Sequence, residues 1–283
     1  MRAQIVILGL CLAIGGPGAA WATPPDLPGT TWTFTDDSTI VYEADGTVRR
    51  GWGEPRVGRV AQSGDRADVT FGAEVHTIRL LDACHLTHFE PAVDTYWFAT
   101  RSKPACAPDE VRYSELANTM WTFMDGHTLL VGDVAAQRSW GTPTKGTSRV
   151  QGNRAELAFG SESTTVTLLD ACHLLYPTPD GTDTWGATRV FPSCGPAICT
   201  YKGVEWSHWR FTDGSSMRLR ADGTAWRSWG ESTGTWNKTT GGFDTTFGAE
   251  VVAFTLVEPC TLTANPGGEE WRAKREFPTC GCN

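Results

Sequence analysis

One pattern recurs three times along this chain of 283 residues, and it restricts the fold more than any other feature. Each copy opens with Trp-x-Phe-x-Asp, continues with Trp-Gly and Phe-Gly-x-Glu, and closes with two cysteines that flank another tryptophan. The opening tryptophans are Trp32, Trp121 and Trp209. Chance does not keep so many landmarks in order and spacing, so the sequence predicts three tandem copies of one unit of roughly 88 residues.

The landmarks also predict where the units begin and end. We expect β repeat unit 1 over residues 27–106, unit 2 over 116–194 and unit 3 over 204–282. The linkers between them are short, which favours units that are close neighbours.

Residues 1–22 have the features of an export signal. Arg2 precedes an apolar run, and Ala20-Trp21-Ala22 supplies the small residues that signal peptidase requires. The apolar run is too short to cross a bilayer, and no later run is longer, so we expect no transmembrane segment. The sequence predicts a secreted or periplasmic protein cleaved near Ala22, with lipidation at Cys11 as the alternative.

Eight cysteines follow the signal, and an even number in an exported chain indicates disulfides. Three pairs recur at matching positions, and two cysteines that bracket unit 3 remain to pair with each other. The predicted disulfides are Cys84–Cys106, Cys172–Cys194, Cys260–Cys280 and Cys199–Cys282.

Within a unit, short alternating segments are separated by Gly and Asp turns, which is typical of β-strands. In unit 1 these segments are 31–35, 38–43, 47–52, 57–62, 66–71, 74–81, 84–88 and 95–101. The pattern predicts an all-β protein made of three tandem, disulfide-stapled antiparallel meander barrels, each with about eight short strands. Tight β-sandwiches are the alternative.

The string Gly29-Thr30-Thr31-Trp32 and an arginine at the end of each last strand resemble the lipocalin-like, or calycin, barrels. In those barrels an arginine from the final strand covers an early tryptophan. The resemblance implies a structural role for Trp32, Trp121 and Trp209 with Arg101, Arg189 and Arg275. A tripartite lectin-like repeat protein fits the same landmarks.

A second set of tryptophans stands beside glycine at strand ends, where a ring can lie on a surface. We predict that these rings stack a flat ligand and that nearby turn acids accept hydrogen bonds from it. The candidate ligand-binding residues are Trp52, Trp140 and Trp229 with Asp45, Asp133 and Asp222.

Other chemistry has weaker support in the sequence. No nucleophile signature is present, and His85 and His88 are spaced so that they face opposite sides of a strand, which is poor metal-ligand geometry. We therefore predict no metal, no cofactor and no catalytic residues. The formal net charge is −8 and no run of Lys or Arg occurs, so nucleic acid is not an expected partner.

Together these features predict a secreted, non-enzymatic binding protein with three similar sites for a small-molecule or glycan ligand. Two alternatives remain open at the level of sequence. One is a structural or interaction protein of the cell surface or periplasm, and the other is a secreted hydrolase or protease inhibitor.

Overall fold

The computed structural model describes residues 26–90, 95–107, 113–178, 180–194, 203–258 and 260–278. Three eight-stranded antiparallel barrels follow one another in this part of the chain, and each is closed by pairing of its first and last strands. The predicted all-β fold of three tandem meander barrels is therefore confirmed, and the units are barrels rather than sandwiches. The predicted export signal lies outside the described residues.

The strands of unit 1 follow the alternation in the sequence closely. They are β1 (Thr30–Phe34), β2 (Thr39–Tyr42), β3 (Thr47–Arg50), β4 (Val57–Ser63), β5 (Arg66–Phe71), β6 (Glu74–Leu80), β7 (His85–Glu90) and β8 (Thr95–Lys103). Each strand pairs with the next, and β1 also pairs with β8. Closure leaves no strand edge in the barrel, so every strand has two neighbours.

Units 2 and 3 repeat this order. Unit 2 contains β9 (Thr119–Phe123), β10 (Thr128–Val131), β11 (Ala135–Arg138), β12 (Lys145–Gln151), β13 (Arg154–Phe159), β14 (Glu162–Asp170), β15 (His173–Pro177) and β16 (Thr184–Phe191). Unit 3 contains β17 (Ser207–Phe211), β18 (Ser216–Leu219), β19 (Thr224–Arg227), β20 (Thr233–Thr239), β21 (Gly242–Phe247), β22 (Glu250–Glu258), β23 (Thr261–Ala264) and β24 (Trp271–Phe277), with a 3₁₀ turn at Pro266–Gly268. No helix in these described ranges is long and apolar enough to cross a membrane.

The opening tryptophan anchors each barrel core. Trp32, Trp121 and Trp209 are at most 1% exposed, so each ring lies wholly inside its barrel. Each indole Nε1 donates to the hydroxyl of the residue two positions earlier, at 2.6–2.7 Å. A buried indole needs such a partner, because an unsatisfied donor costs about 1–3 kcal/mol. This explains why a hydroxyl residue precedes each of these tryptophans by two positions.

Disulfides join the start of the seventh strand to the segment after the eighth. Cys84 is bonded to Cys106 and Cys172 to Cys194, each closing a separation of 22 residues. Cys260 is also disulfide-bonded. Its predicted partner Cys280, and the predicted pair Cys199–Cys282, lie outside the described residues.

In the earlier barrel of each neighbouring pair, the seventh and last strands make the contact. In the later barrel, the first two strands and the last strand do so. We call the contact between units 1 and 2 the first junction and the contact between units 2 and 3 the second junction. A histidine of the earlier unit meets a phenylalanine of the later one in both. His85 lies 5.3 Å from Phe191 and His173 lies 5.6 Å from Phe277, ring centroid to ring centroid, with both ring pairs at 88°.

Candidate functional site

The recurring polar and aromatic landmarks collect at one end of each barrel. In unit 1, Thr33 pairs with Thr39 and Ile40 with Arg50, so the β1–β2 loop and the residues after β3 share this end. The short turn between Phe71 and Glu74 lies there as well, because consecutive strands run antiparallel. We call it the tryptophan end, and the opposite end, with the disulfide, the disulfide end.

Aromatic rings cluster at each tryptophan end, with two tryptophans and a phenylalanine in units 2 and 3 and with Trp52, Phe34 and His88 in unit 1. Trp52, Trp140 and Trp229 each pack edge-on against the phenylalanine of the opening motif, with ring centroids 5.1–5.2 Å apart. All three rings are half-buried, and each packs against the core of its barrel. The second tryptophan comes from the last strand. The ring centroid of Trp185 lies 6.1 Å from that of Trp140, and the ring centroid of Trp271 lies 6.0 Å from that of Trp229.

An arginine beneath this cluster was not singled out from the sequence. Arg50, Arg138 and Arg227 are each at most 5% exposed, and each pairs with the glutamate of the Phe-Gly-x-Glu motif at 2.5–2.8 Å. Each guanidinium also lies 4.1–4.4 Å from the ring centroid of the phenylalanine in that motif. The signal was available, because an arginine stands two residues before each of the three Trp-Gly pairs.

The same arginine explains the glycine after each tryptophan. Gly53, Gly141 and Gly230 have φ between 57° and 68°, and a Cβ there would meet the guanidinium of the buried arginine at 2.9–3.3 Å. Glycine is therefore required by the backbone conformation and by the packing of the arginine. Access of a ligand to the backbone is therefore not needed to account for this glycine.

The buried arginine also sets the charge of its glutamate. The hydrogen bond from Arg50, followed by that from His76, holds the pKa of Glu74 below its usual range. Arg138 likewise lowers the pKa of Glu162. These carboxylates are half-exposed at the rim and ionised at neutral pH, so each tryptophan end carries an acceptor beside its aromatic rings.

The structure does not bring the predicted turn acids to these tryptophans. Asp45 lies in the β2–β3 turn, and Trp52 lies beyond the other end of β3. This strand has four residues and is therefore about 13 Å long. Asp45 and Asp222 each accept a hydrogen bond from a backbone amide two residues on, both at 2.8 Å, as turn aspartates commonly do. Asp133 instead pairs with Arg79 of unit 1 at 2.8 Å, so it belongs to the first junction.

The aspartates of the opening motif do lie at the tryptophan ends. Asp36, Asp125 and Asp213 each accept a hydrogen bond from the backbone amide two residues on, at 2.8–3.0 Å, and so hold the first hairpin turn. Hydrogen bonds from the Ser38 side chain and backbone lower the pKa of Asp36, and those from Ser215 do the same for Asp213.

The three tryptophan ends differ in a pair of buried histidines that only unit 1 has. In unit 1, His88 Nε2 lies 2.7 Å from His76 Nδ1, and His76 Nε2 lies 3.2 Å from Glu74. Burial lowers the pKa of His88 to about 3, so it is neutral at ordinary pH. Tyr176 takes the place of His88 in unit 2 and Ala264 does so in unit 3. No group of three or more His, Cys, Asp and Glu side chains arranged to hold a metal ion occurs in the described ranges.

The arginine of each last strand lies opposite the opening tryptophan. Trp32 pairs with Arg101, Trp121 with Arg189 and Trp209 with Arg275 in the β-ladder. The Arg275 guanidinium lies 4.8 Å from the centroid of the Trp209 ring. Burial lowers the pKa of Arg189 to about 10, which still leaves it charged at neutral pH.

Comparison with protein families and with curated proteins does not identify a function for this arrangement. No protein-family model and no curated protein matches the sequence. The functional assignment therefore rests on the residues and on their arrangement.

Proposed function

We propose that the protein is a non-enzymatic binding protein that acts outside the cytoplasm and holds carbohydrate at the tryptophan ends of its three barrels. One observation carries the proposal: the same end of each barrel presents two half-buried tryptophans beside an arginine–glutamate pair. Barrel cores alone do not require this arrangement three times, since the opening tryptophans already fill the interior.

The chemistry of the cluster fits a sugar. A pyranose ring has an apolar face of C–H groups, which an indole can cover, and hydroxyl groups at its edge, which need donors and acceptors. The carboxylates Glu74, Glu162 and Glu250 provide acceptors, and they are 43–50% exposed at the side chain. The paired arginine holds each carboxylate in place before a ligand arrives, which lowers the entropic cost of binding.

The carboxyl groups favour binding over hydrolysis. A glycosidase needs one carboxylic acid with a raised pKa to protonate the leaving oxygen. At the tryptophan ends, the pKa values of Asp36, Asp213, Glu74 and Glu162 are lowered instead. Such groups act as hydrogen-bond acceptors rather than as general acids.

The three-fold repeat and the disulfides also support a binding role outside the cytoplasm. Three similar weak sites in one chain gain avidity for a polymer or a coated surface without any new contact. The disulfides favour an oxidising compartment. The lipocalin-like resemblance is consistent with the closed eight-strand meander, but buried side chains occupy each barrel interior, so the proposed site lies at the barrel end.

The test is a glycan array probed with the full chain and with variants of the three tryptophans. Each single change among Trp52→Ala, Trp140→Ala and Trp229→Ala should weaken binding modestly, and the triple variant should lose about 10²–10⁴-fold in avidity. Because the rings are half-buried, thermal unfolding should be recorded for every variant. Trp226→Ala is the matched control, since Trp226 is an exposed tryptophan on a barrel wall.

A folded triple variant that binds every glycan as the natural chain does would contradict the proposal. In that case the rings cover the barrel ends, and the structural or interaction role becomes the better explanation. If the triple variant does not fold, the single variants decide, because a binding role requires each of them to reduce avidity.

A further inference from the structure

The second junction contains a cleft of about 290 Å³. It is lined by aromatic rings from both units, among them Trp185 and Phe277, and by charged groups at its rim. This volume lies just below the usual range for small-ligand sites, which is about 300–1,000 Å³.

The cleft exists because the second junction lacks the large side chains that fill the first. Phe98 of unit 1 corresponds to Gly186 of unit 2, and Tyr96 corresponds to Thr184. Leu130, which packs against the apolar cluster of the first junction, is replaced by an arginine at the second. The cavity beside Tyr96 and Leu130 at the first junction is about 10 Å³, which does not hold an organic ligand.

Trp206 lines the cleft in a backbone conformation that a tryptophan rarely adopts. The corresponding residues of units 1 and 2 are Gly29 and Asn118, with φ of 83° and 57°, and both residue types tolerate this left-handed region. Trp206 has φ of 62°. Bulky residues in this region are held there by their surroundings and often mark functional sites. The barrel position accepts glycine or asparagine in the other units, so the fold does not demand a tryptophan.

The charged groups of the cleft balance. Its lining contains the arginines Arg218 and Arg220 and the aspartates Asp125 and Asp183. Arg220 is hydrogen-bonded to Asp183, and Arg218 lies 3.8 Å from the same carboxylate. The lining therefore has no excess charge to attract an anionic or cationic ligand, whereas a neutral ligand with many hydroxyl groups can use both its donors and its acceptors.

A buried polar atom of the cleft lining lacks a partner. His208 is 6% exposed, and its Nε2 has no hydrogen-bond partner among the described residues. Its Nδ1 lies 3.2 Å from Met124 Sδ and 3.2 Å from a carboxylate oxygen of Glu276. A buried imidazole nitrogen without a partner is costly in the empty protein, and a ligand hydroxyl would satisfy it.

From these observations we infer that the cleft between units 2 and 3 is a separate site for a neutral mono- or disaccharide, with Trp206 and Trp185 as stacking surfaces. The site holds one ligand per chain. It extends the tryptophan end of unit 2 and rests on the proposed function for its ligand class, but it depends on Trp206, which no other unit has.

The experiment titrates the full chain with maltose, cellobiose, lactose and N,N′-diacetylchitobiose by isothermal titration calorimetry, with glucuronic acid and glucosamine as charged comparisons. We expect one neutral sugar to bind in the cleft with one ligand per chain, more tightly than at the three weak tryptophan-end sites. Trp206→Asn, which copies unit 2, should weaken that binding at least tenfold while leaving the thermal midpoint unchanged or higher. Asp37→Gly is the matched control, since Asp37 also has a positive φ of 66° but lies in unit 1.

Three results would overturn the inference: no neutral sugar binds, a charged sugar binds better, or Trp206→Asn binds as the natural chain does. If Trp206→Asn does not fold, Thr184→Tyr decides, because it restores the side chain that unit 1 has and should block the cleft. The double variant Trp52→Ala/Trp229→Ala separates this site from the proposed function. It should lower glycan-array avidity and leave the disaccharide titration unchanged, since neither residue lines the cleft.

Discussion

The two junctions are built from the same positions of the repeat and yet differ in character. At the first, Leu81, Phe98, Tyr113 and Phe191 form a separate apolar cluster, with Met120 and Leu130 packed against it. At the second, the positions of Met120 and Leu130 are His208 and Arg218, and a cleft replaces the cluster. The shared part is the histidine–phenylalanine pair, which has nearly the same geometry in both.

The comparison shows how a repeated barrel can keep its neighbour contact and still acquire a new surface. Residues that point into the barrel are held by packing and repeat from unit to unit, whereas outward residues of the last and first strands are free to change. The two junctions also have their ion pairs at different positions of the repeat. Arg79 with Asp133 bridges the first junction, and Arg220 with Asp183 bridges the second.

The two outer barrels lack the residues that would extend this series. The position of Phe191 and Phe277 is Lys103 in unit 1, which is exposed, and the position of His85 and His173 is Thr261 in unit 3. Among the described residues, the histidine–phenylalanine ring pair therefore occurs only at the two junctions.

Replacing the phenylalanine at each junction by alanine should give the largest difference in the free energy of unfolding. Phe191 packs on Phe98 at 4.7 Å as well as on His85, so Phe191→Ala should lower the free energy of unfolding by about 3–4 kcal/mol. The Phe277 ring contacts His173, and it faces Gly186 where Phe191 faces Phe98. Phe277→Ala therefore removes fewer ring contacts and should cost about 2 kcal/mol. Differential scanning calorimetry would measure both.

Lys103→Ala is the control for this pair, because it changes the same position of the repeat in unit 1, where the side chain is exposed. An exposed residue of this kind should alter stability by less than about 0.5 kcal/mol. Equal losses for the two phenylalanine variants would contradict the view that the second junction is more loosely packed.

A smaller effect is expected from adding one methyl group to the second junction. A Cβ at Gly186 would meet the Phe277 ring at 2.5–2.6 Å, so Gly186→Ala should destabilise the protein by about 1–3 kcal/mol. Gly51→Ala is the matched control, since its nearest neighbour would be at 3.4 Å and its φ is ordinary. If Gly186→Ala unfolds with an unchanged midpoint, Phe277 can shift into the cleft, and the junction is more adaptable than its packing indicates.

The smallest expected effect is the change of stability with pH that His208 causes. Burial, followed by the charge of Arg218, lowers the pKa of His208 to about 4, although Glu276 opposes this shift. The unfolded chain takes up a proton near pH 6.5 and the folded chain does not, so stability falls as the pH drops from about 6.5 towards 4. One proton contributes at most about 1.4 kcal/mol between pH 6.5 and 5.5. His208→Met, which copies the first junction, should remove this part of the pH dependence in urea unfolding curves.

Much of the fold was predictable because its determinants are local and repeated. Alternation along each strand located β1 to β8 nearly to the residue, and glycine and aspartate turns separated them. A closed meander was predictable because eight short strands in sequence order have few other ways to remove their edges. The pairing of Cys84 with Cys106 followed from comparing the copies, since each unit repeats the spacing.

The candidate site was predicted in part, and the missing part has a physical cause. The half-buried tryptophans were found because they recur, and Arg50, Arg138 and Arg227 could have been found in the same way. The turn acids were placed beside the tryptophans because they are near in sequence, whereas a strand carries its two ends apart. Asp45 and Trp52 therefore lie at opposite ends of β3.

Alternation and spacing within about 88 residues are enough to define the three barrels and their strands. What lies between the barrels, in contrast, depends on contacts between different units. The cleft at Trp206 depends on which outward side chains of two different units meet, and such residues follow no periodic rule. Its existence follows from small residues such as Gly186 opposite Phe277, a contact across about 90 residues that no local pattern encodes.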